Sequence, residues 1–350
     1  MIALQWQDKV LSLLDQSRYP GEEVWVECTD LSSVIQALSS GVVIDEKVAA
    51  IAGAYGYCLA ALEHQDLQQT PAFDEKLAQA KQALLDSRDG SRDMKAAMTF
   101  MENPPEAYTK NVDQLTTILA TAVTFDRQQV VSSRNICRNG NDLMGEGTRV
   151  LVRTDKGLFH SAAHGGAFGI VRRGGKREVL ESITFCEGRA ADTAQLLAKE
   201  LTEKENVPCT IIPDQAAATF LARQGAHIAL TDGIVAARNG DLMAPVGAYE
   251  LAIACYFHSI PFYGVLTAED IDLEAESGAV FGQAEGDGSI VVDDLDCGTA
   301  EGWTPAYDVV PAFLITGMIT DRGVACAPYD ETLDELVKHA PKKLIVNFDA

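Results

Sequence analysis

The sequence predicts an α/β protein with a mostly helical N-terminal domain and a C-terminal doubly wound parallel sheet that carries no dinucleotide-binding motif. Three observations lead to this prediction: the length of 350 residues, helical periodicity in the first part of the chain, and alternating strand and helix patterns after Arg149. At about 150 residues per domain, the length corresponds to two domains. We expect them to span 1–140 and 141–350.

Helical periodicity is visible in four segments of the N-terminal domain. Apolar residues recur there at the spacing that places them on one face of a helix. The predicted helices cover 32–38, 48–62, 74–85 and, after the break at Asn103-Pro104-Pro105, 105–125. The polar stretch 139–142 ends this pattern and marks the predicted boundary.

Strand and helix patterns alternate in the C-terminal domain. Short β-branched runs occupy 150–152, 182–185, 210–212, 227–230 and 262–266, and helical patterns occupy 190–204, 215–224 and 248–257. This alternation is typical of a parallel sheet with helices on both faces. Because ligands of such sheets bind beyond the carboxyl ends of the strands, we expect the site within 153–157, 187–189, 213–215, 231–233 and the segment from 267.

The chain carries 28 basic and 51 acidic residues, a net charge of −23. Surfaces that bind nucleic acid or anionic membranes are basic, so neither partner is predicted. The charge is uneven: 149–177 holds seven basic residues and one acid, whereas 267–303 holds eleven acids and no Lys or Arg. The basic stretch is either a solvated surface helix and turn or a site for a small anion.

An anion site there would use Gly157, Gly165 and Gly166, which permit close backbone approach next to Lys156 and Arg153. Neither G-x-G-x-x-G nor a Walker motif is present. The sequence therefore predicts no cofactor.

Eight cysteines are scattered without a C-x-x-C pair, which is typical of a reduced protein. The first residues lack the pattern of a signal peptide, and no run of about 18 apolar residues occurs. We therefore expect a cytoplasmic protein.

Five segments carry more specific motifs. They are 304–316 (TPAYDVVPAFLIT), 236–241 with 246–249 (AARNGD and VGAY), 258–263 (HSIPFY), 271–278 (IDL with SG following) and 52–56 (AGAYG). They resemble the P-A-F-D-V-T-P-A-x-L-I-T, A-A-N-G-D…I-G-T-Y, H-G-I-P-F-Y, I-D-L…S-G and A-A-A-Y-G segments of the methylthioribose-1-phosphate isomerases. That family also includes ribose-1,5-bisphosphate isomerases and regulatory subunits of a eukaryotic translation-initiation exchange factor. The resemblance implies a Rossmann-like C-terminal domain, a homodimer and a sugar-phosphate substrate.

The family isomerases use a Cys in a T-H-C-N-A-G turn and an Asp in a G-A-D-R turn. In this chain the first turn reads VRTDKG, which places Thr154 at the cysteine position, and Asp232 retains the aspartate. The family's phosphate loop R-G-A becomes Ser40-Gly41-Val42, and the lysine of N-K-I-G-T-Y becomes Pro245. Two hypotheses follow: a divergent aldose–ketose isomerase, or a non-catalytic regulatory or ligand-sensing homologue.

Asp232, Thr154 and Asp155 are the predicted catalytic residues. Asp232 at a strand end is either a general acid or base or a turn residue that caps a helix. Asp155 with Lys156 forms either a replacement acid/base pair or an exposed ion pair.

The predicted substrate-binding residues are Lys156, Gly157, Arg153, His160, Arg189, Asn239 and Asp241. His160 either has a stacking or surface polar role or, together with Arg153, replaces the family's missing phosphate ligands. The resemblance implies that Arg189 retains an arginine of an E-x-R-P segment, and that Asn239 and Asp241 belong to the A-A-N-G-D motif. His160 and His164, four residues apart, would share a helix face and suit a metal, but no third ligand follows from the pattern. No metal site is predicted.

Overall fold

The computed structural model describes residues 1–108, 112–155, 157–161, 163–188, 191–282, 284–292 and 300–338. The chain consists of two compact units, each with its own hydrophobic core. Of the described residues, the first unit comprises Met1–Val131 and the segment from Phe159 to Ala163, and the second comprises Ser132–Leu158 and the chain from His164 onward.

The helices are α1 (Leu31–Ser39), α2 (Glu46–Glu63), α3 (Pro71–Ser87), α4 (Arg92–Glu102), α5 (Gln114–Asn141), α6 (Gly166–Lys176), α7 (Ala191–Glu205), α8 (Ala217–Arg223), α9 (Ala248–Phe257), α10 (Ser289–Val292) and α11 (Tyr329–Lys338). The strands are β1 (Leu4–Gln7), β2 (Val10–Leu14), β3 (Trp25–Cys28), β4 (Thr148–Arg153), β5 (Leu180–Cys186), β6 (Cys209–Ile212), β7 (Ile228–Asp232), β8 (Val235–Ala237), β9 (Leu242–Ala244), β10 (Phe262–Val265), β11 (Ile271–Asp272), β12 (Asp308–Val310), β13 (Gly317–Thr320) and β14 (Gly323–Ala325). None of these helices is both long and apolar enough to cross a membrane.

The core of the first unit is built around α2, which is buried on almost every side. Small residues let its neighbours approach closely, and a side chain at Gly53 would clash with Met94 of α4. The carboxylate of Asp45 caps the helix by accepting a hydrogen bond from the backbone N–H of Val48 at 3.0 Å. An antiparallel sheet of order β1-β2-β3 completes the unit. The sequence did not predict this sheet, because strands of four or five residues show too little alternation.

The second unit contains a seven-stranded sheet of order β14-β13-β10-β7-β4-β5-β6. All neighbouring strands are parallel except β13 and β14. The first strand of the sheet, β4, lies in its interior, and the chain winds outward through β5 and β6 before it returns to β7 on the other side. Right-handed crossovers then place the connecting helices on opposite faces. The doubly wound α/β class is thereby confirmed, and its switch point lies between β4 and β7.

A second sheet of order β11-β8-β9-β12 follows the switch point. Its strands come from the motif-bearing segments near 236–241 and 308–310, where β9 and β12 pair antiparallel. The strand pattern of the sequence missed this sheet, because its strands have only two or three residues.

Several sequence-based expectations need correction. The predicted helix 105–125 instead begins at Gln114 and continues to Asn141. α4 and α6 were not predicted, and α6 contains four glycines within 11 residues, which lowers its helix propensity. The prediction that His160 and His164 share a helix face is wrong. His160 forms an isolated bridge with Ile2 in the first unit, whereas His164 precedes α6 in the second.

Candidate active site

Thr154 and Asp232 meet at the switch point of the large sheet. The parallel register pairs Arg153 of β4 with Thr231 of β7, so the next residues of the two strands, Thr154 and Asp232, lie side by side. The Thr154 hydroxyl donates a hydrogen bond to Oδ2 of Asp232. Both side chains are buried. We call them the hydroxyl–carboxylate pair.

The N-terminus of α6 holds the other oxygen of this carboxylate. The backbone N–H of Ala167 donates to Oδ1 of Asp232 at 2.8 Å. Helix N-termini stabilise negative charge, because their N–H groups lack partners within the helix. Gly166 permits this approach: its φ of +61° suits glycine, and a Cβ there would clash with Oδ1 of Asp232. A hydroxyl and a backbone donor therefore orient the two oxygens of Asp232.

Arg153 lies on the opposite face of the sheet at the same strand end. Its side chain is 0% exposed and donates to Asp155 through two nitrogens, at 2.6 and 3.1 Å. Its Nε donates to the carbonyl of Val246 at 2.8 Å and lies 3.6 Å from Oδ2 of Asp214. Burial acts to lower the pKa of the guanidinium, but the hydrogen bonds and charge of Asp155 and the charge of Asp214 outweigh it and raise that pKa. We call Arg153, Asp155 and Asp214 the arginine clamp.

The clamp joins several strand ends and the start of α9. Asp214 follows β6 and accepts from the N–H of Gly188, which follows β5, at 3.1 Å. Gly247 has a φ of +97°, and a Cβ there would lie 2.7 Å from Oδ2 of Asp214 and 3.1 Å from Nε of Arg153. Asp308 then fixes the first turn of α9, because its Oδ2 accepts from the N–H groups of Gly247 and Tyr249, each at 2.9 Å.

His164 anchors the chain between β4 and α6. Its Nδ1 lies 2.7 Å from the carbonyl oxygen of Gly157, and its Nε2 lies 3.2 Å from Oε1 of Glu200 on α7. Burial acts to raise the pKa of Glu200, but the hydrogen bond with His164 and the positive charge of Lys204 contribute to lowering it to about 2. This anchor fixes the segment that carries Gly157 and leads into Gly166.

The remaining predicted site residues lie elsewhere or outside the described residues. Lys156 and Arg189 belong to the latter. His160 pairs through its backbone with Met1 and Ala3 in the first unit.

The carboxylate of Asp241 accepts from the N–H groups of Gly278 at 3.0 Å and Ala312 at 2.9 Å, and from the side chain of Asn239 at 2.9 Å. These bonds tie together loops around the second sheet.

The structure thus brings together Arg153, Thr154, Asp155, Gly157 and Asp232, and adds groups that were not among the predicted catalytic or substrate-binding residues. These are the Ala167 amide, Asp214, His164 with Glu200, and Asp308. The sequence signal for the N-terminus of α6 is the pair Gly165 and Gly166, at which the helix begins. Among the described residues, no group of three or more His, Cys, Asp or Glu side chains is placed to hold a metal ion.

Fold and site define an α/β protein with a doubly wound sheet and a buried hydroxyl–carboxylate pair at its switch point. Comparison with known families is more specific: the Initiation factor 2 subunit family matches residues 45–327. The chain belongs to this family, and the resemblance inferred from its motifs is confirmed.

Two relatives of similar length are named methylthioribose-1-phosphate isomerase. The chain is 32% identical to a methylthioribose-1-phosphate isomerase from Pelotomaculum thermopropionicum, over 99% of this chain and 97% of the relative. It is 31% identical to the enzyme of the same name from Herpetosiphon aurantiacus, with 96% of each chain covered. These relatives support an isomerase-like function.

Solved structures confirm the fold. A 5-methylthioribose 1-phosphate isomerase from Pyrococcus horikoshii superposes with a TM-score of 0.85 at 23% identity, over 96% of this chain and 95% of that chain. The delta subunit of translation initiation factor eIF-2B from A. fulgidus superposes with a TM-score of 0.80 at 22% identity, over 96% and 99%.

Proposed function

We propose that the protein is an aldose–ketose isomerase that acts on a sugar phosphate, with Asp232 and Thr154 as its proton-transferring groups. The observation that carries the proposal is the hydroxyl–carboxylate pair on the N-terminus of α6 at the switch point. Ligands of doubly wound sheets bind at this place. The full-length similarity to methylthioribose-1-phosphate isomerases supports the reaction class.

The reaction moves hydrogen between two carbons of the substrate. A base removes the proton from the second carbon of the ring-opening sugar, while an acid protonates the ring oxygen as its bond to the first carbon breaks. The resulting enol takes a proton at the first carbon and loses the proton of its hydroxyl, which leaves a ketone. Protons balance, so one carboxylate that accepts and returns a proton suffices, together with a relay.

Asp232 is the group that accepts and returns the proton, because a carboxylate is a competent general base. A threonine hydroxyl is too weak an acid to ionise at neutral pH, so Thr154 acts as a relay between Asp232 and substrate oxygens. Water is excluded from the buried pair, which strengthens its electrostatic interactions. Thr154 thus takes a place that a thiol occupies in the resembling isomerases, with different chemistry.

Substrate binding by Lys156, Gly157, Arg189, Asn239, Asp241 and His160 stays a prediction. Lys156 and Arg189 would supply cations for the phosphate, for which charge-assisted hydrogen bonds are the strongest available contacts.

Turnover of pentose 1-phosphates, with methylthioribose 1-phosphate first, tests the proposal. Ketose formation by the purified wild type and its loss in Asp232→Asn are the expected results. Asp142→Asn, an exposed acid of the same unit, is the matched control and should keep full activity. A wild type that turns over none of these substrates, or an Asp232→Asn variant with unchanged turnover, would contradict the proposal.

A non-catalytic, ligand-sensing role is the second candidate, and one observation favours it: the hydroxyl of Thr154 stands where the resembling isomerases have a thiol. A sensor would be stabilised thermally by a sugar phosphate or nucleotide without converting it. Stabilisation together with ketose formation would exclude this role.

For assembly we propose a homodimer formed through the outer face of α9. This helix is apolar or aromatic at every position except Glu250, yet Tyr256 and Phe257 are exposed, and Phe313 packs edge-on against Tyr256. A helix that is apolar all round is normally buried. Light scattering should give a dimer for wild type and a monomer for Phe257→Glu, while Val280→Glu, at another exposed apolar residue, should stay dimeric. A monomeric wild type would overturn the proposal.

The domain boundaries 1–140 and 141–350, the cytoplasmic location and the absence of nucleic-acid partners stay predictions.

A further inference from the structure

We propose that Arg153 is a positioning residue that aligns the hydroxyl–carboxylate pair, and that it is not a ligand of the substrate's phosphate. The kinetic part of this inference rests on the proposed isomerase function. It replaces the sequence-based hypothesis that Arg153 compensates for the phosphate ligands missing from this chain.

Charge and geometry show that the guanidinium is already occupied. Arg153 is 0% exposed, and its hydrogen bonds go to Asp155 and to the carbonyl of Val246, with Asp214 at 3.6 Å. Two carboxylates face one cation, so the clamp carries a net negative charge. A phosphate would meet repulsion there and would have to displace a bidentate carboxylate, which is among the strongest contacts of an arginine.

The place of Arg153 in β4 connects it to the pair. β4 ends at Arg153, and Thr154 and Asp155 follow it directly. The guanidinium of Arg153 binds the carboxylate of Asp155, whereas the hydroxyl of Thr154, the residue between them, binds Asp232. The bidentate contact between Arg153 and Asp155 therefore fixes the peptide units on both sides of Thr154. Since Thr154 donates to Asp232, the direction of its hydroxyl depends on this contact.

The clamp also explains why the residue is an arginine. A planar guanidinium donates to Asp155 through two nitrogens while its Nε donates to the carbonyl of Val246. A lysine ammonium is a point charge and cannot make this bidentate contact. Buried ion pairs contribute little net stability, so a role in positioning accounts for the clamp better than a role in stability.

Kinetics of Arg153→Lys separate the two roles. Displacement of the pair by about 1 Å should lower kcat by about 10- to 100-fold, with KM changed by less than about threefold because no substrate contact is lost. Arg149→Lys is the matched control on the same strand, where Arg149 pairs with Glu181 at the surface, and should leave both constants unchanged. If Arg153 were instead a ligand of the substrate's phosphate, the Arg153→Lys variant would keep its kcat, its KM would rise, and inorganic phosphate would inhibit it more weakly. This result would contradict the inference.

Hydrogen–deuterium exchange of the full-length, ligand-free protein gives a readout that needs no activity. Arg153→Lys should accelerate exchange in peptides that contain the Ala167 amide, which donates to Asp232, by about tenfold. If the lysine variant does not fold, Arg153→Met with Asp214→Asn removes the cation together with one carboxylate and should give the same acceleration. Unchanged exchange around Ala167 in a folded variant would overturn the inference. If the wild type is inactive but exchange is still accelerated in the Arg153→Lys variant, the inference holds and only the proposed function is contradicted.

Discussion

At the end of β4, carboxylates lie on both faces of the sheet, but their hydrogen-bond donors differ in charge. On one face the carboxylate of Asp232 accepts from neutral donors, the Thr154 hydroxyl and the Ala167 amide. On the other face Asp155 and Asp214 are held by a guanidinium. The clamp therefore pairs two carboxylates with a full positive charge, whereas Asp232 accepts from a hydroxyl and a backbone amide. In the proposed reaction Asp232, and not a carboxylate of the clamp, takes up the proton.

In the proposed function, proton transfer takes place on the first face, and the second face aligns the residues that carry it out. Arg153 is the last residue of β4 and Thr154 follows it directly, so in the proposed function adjacent residues would serve the two purposes without a loop between them. A substitution on the first face should change the rate and leave the fold intact. A substitution on the second should change both.

Asp232→Asn should have the largest effect. The amide oxygen still accepts from Ala167, but the side chain no longer takes up a proton, so kcat/KM should fall by at least about 10³-fold with an almost unchanged melting temperature. Steady-state turnover and thermal unfolding measure the two effects. Asp155→Asn on the clamp should cost no more than about tenfold, since it keeps one oxygen for Arg153. If Asp232→Asn and Asp155→Asn lost kcat/KM equally, the proposed division between a catalytic face and an aligning face would be contradicted.

Glu200→Gln tests the contact between Glu200 and His164, which holds the segment between β4 and α6. The folded protein holds the pKa of Glu200 at about 2, below the ordinary value of 4.5. Its contribution to stability is therefore complete above about pH 4.5 and disappears as the pH falls toward about 2. The shift corresponds to about 3 kcal/mol of unfolding free energy at pH 7.

The difference in unfolding free energy between Glu200→Gln and wild type should thus be largest near pH 7 and vanish near pH 2. Urea unfolding across this range measures it. Glu203→Gln, an exposed position on the same helix, should show no comparable pH dependence. A difference that is constant from pH 7 to pH 2 would mean that the carboxylate charge is not what anchors His164.

Thr154→Val removes the hydroxyl at constant shape and should lower kcat by about 10²-fold. Thr154→Ser keeps the hydroxyl and should stay within about tenfold of wild type. Single-turnover kinetics at saturating substrate measure the chemical step. If the serine variant were as slow as the valine variant, packing of the methyl group rather than the hydroxyl would explain the loss.

Much of the large sheet could be predicted from the sequence, because buried parallel strands are continuous β-branched runs. The predicted strands 150–152 and 182–185 lie inside β4 and β5, and the helix 248–257 coincides with α9. The short strands β8 and β9 and the glycine-rich α6 carry no such local signal. They form because of tertiary contacts, such as the close approach of Gly166 to Asp232.

The strand-end segments flagged from the sequence contain every member of the pair and of the clamp. Their pairing could not be predicted, since it depends on the register between β4 and β7 and on the face to which each side chain points. Thr154 and Asp232 are 78 residues apart in sequence. Arg153 looked like a free cation because Asp214 comes close to it only when β6 takes its place in the sheet.

Gly166→Ala should have the smallest effect and isolates the contact between α6 and Asp232. Gly166 has a φ of +61°, and the added methyl group would displace the carboxylate from the Ala167 amide. Gly147→Ala is a matched control, since Gly147 has a φ of +75° but no atom within 4 Å of the place that the added methyl group would take. Both variants should lose about 1 kcal/mol of stability from the left-handed backbone, and only Gly166→Ala should also lose about tenfold in kcat. If both variants kept full activity, the helix N-terminus would not orient Asp232, and the hydroxyl of Thr154 would suffice to hold the carboxylate for proton transfer.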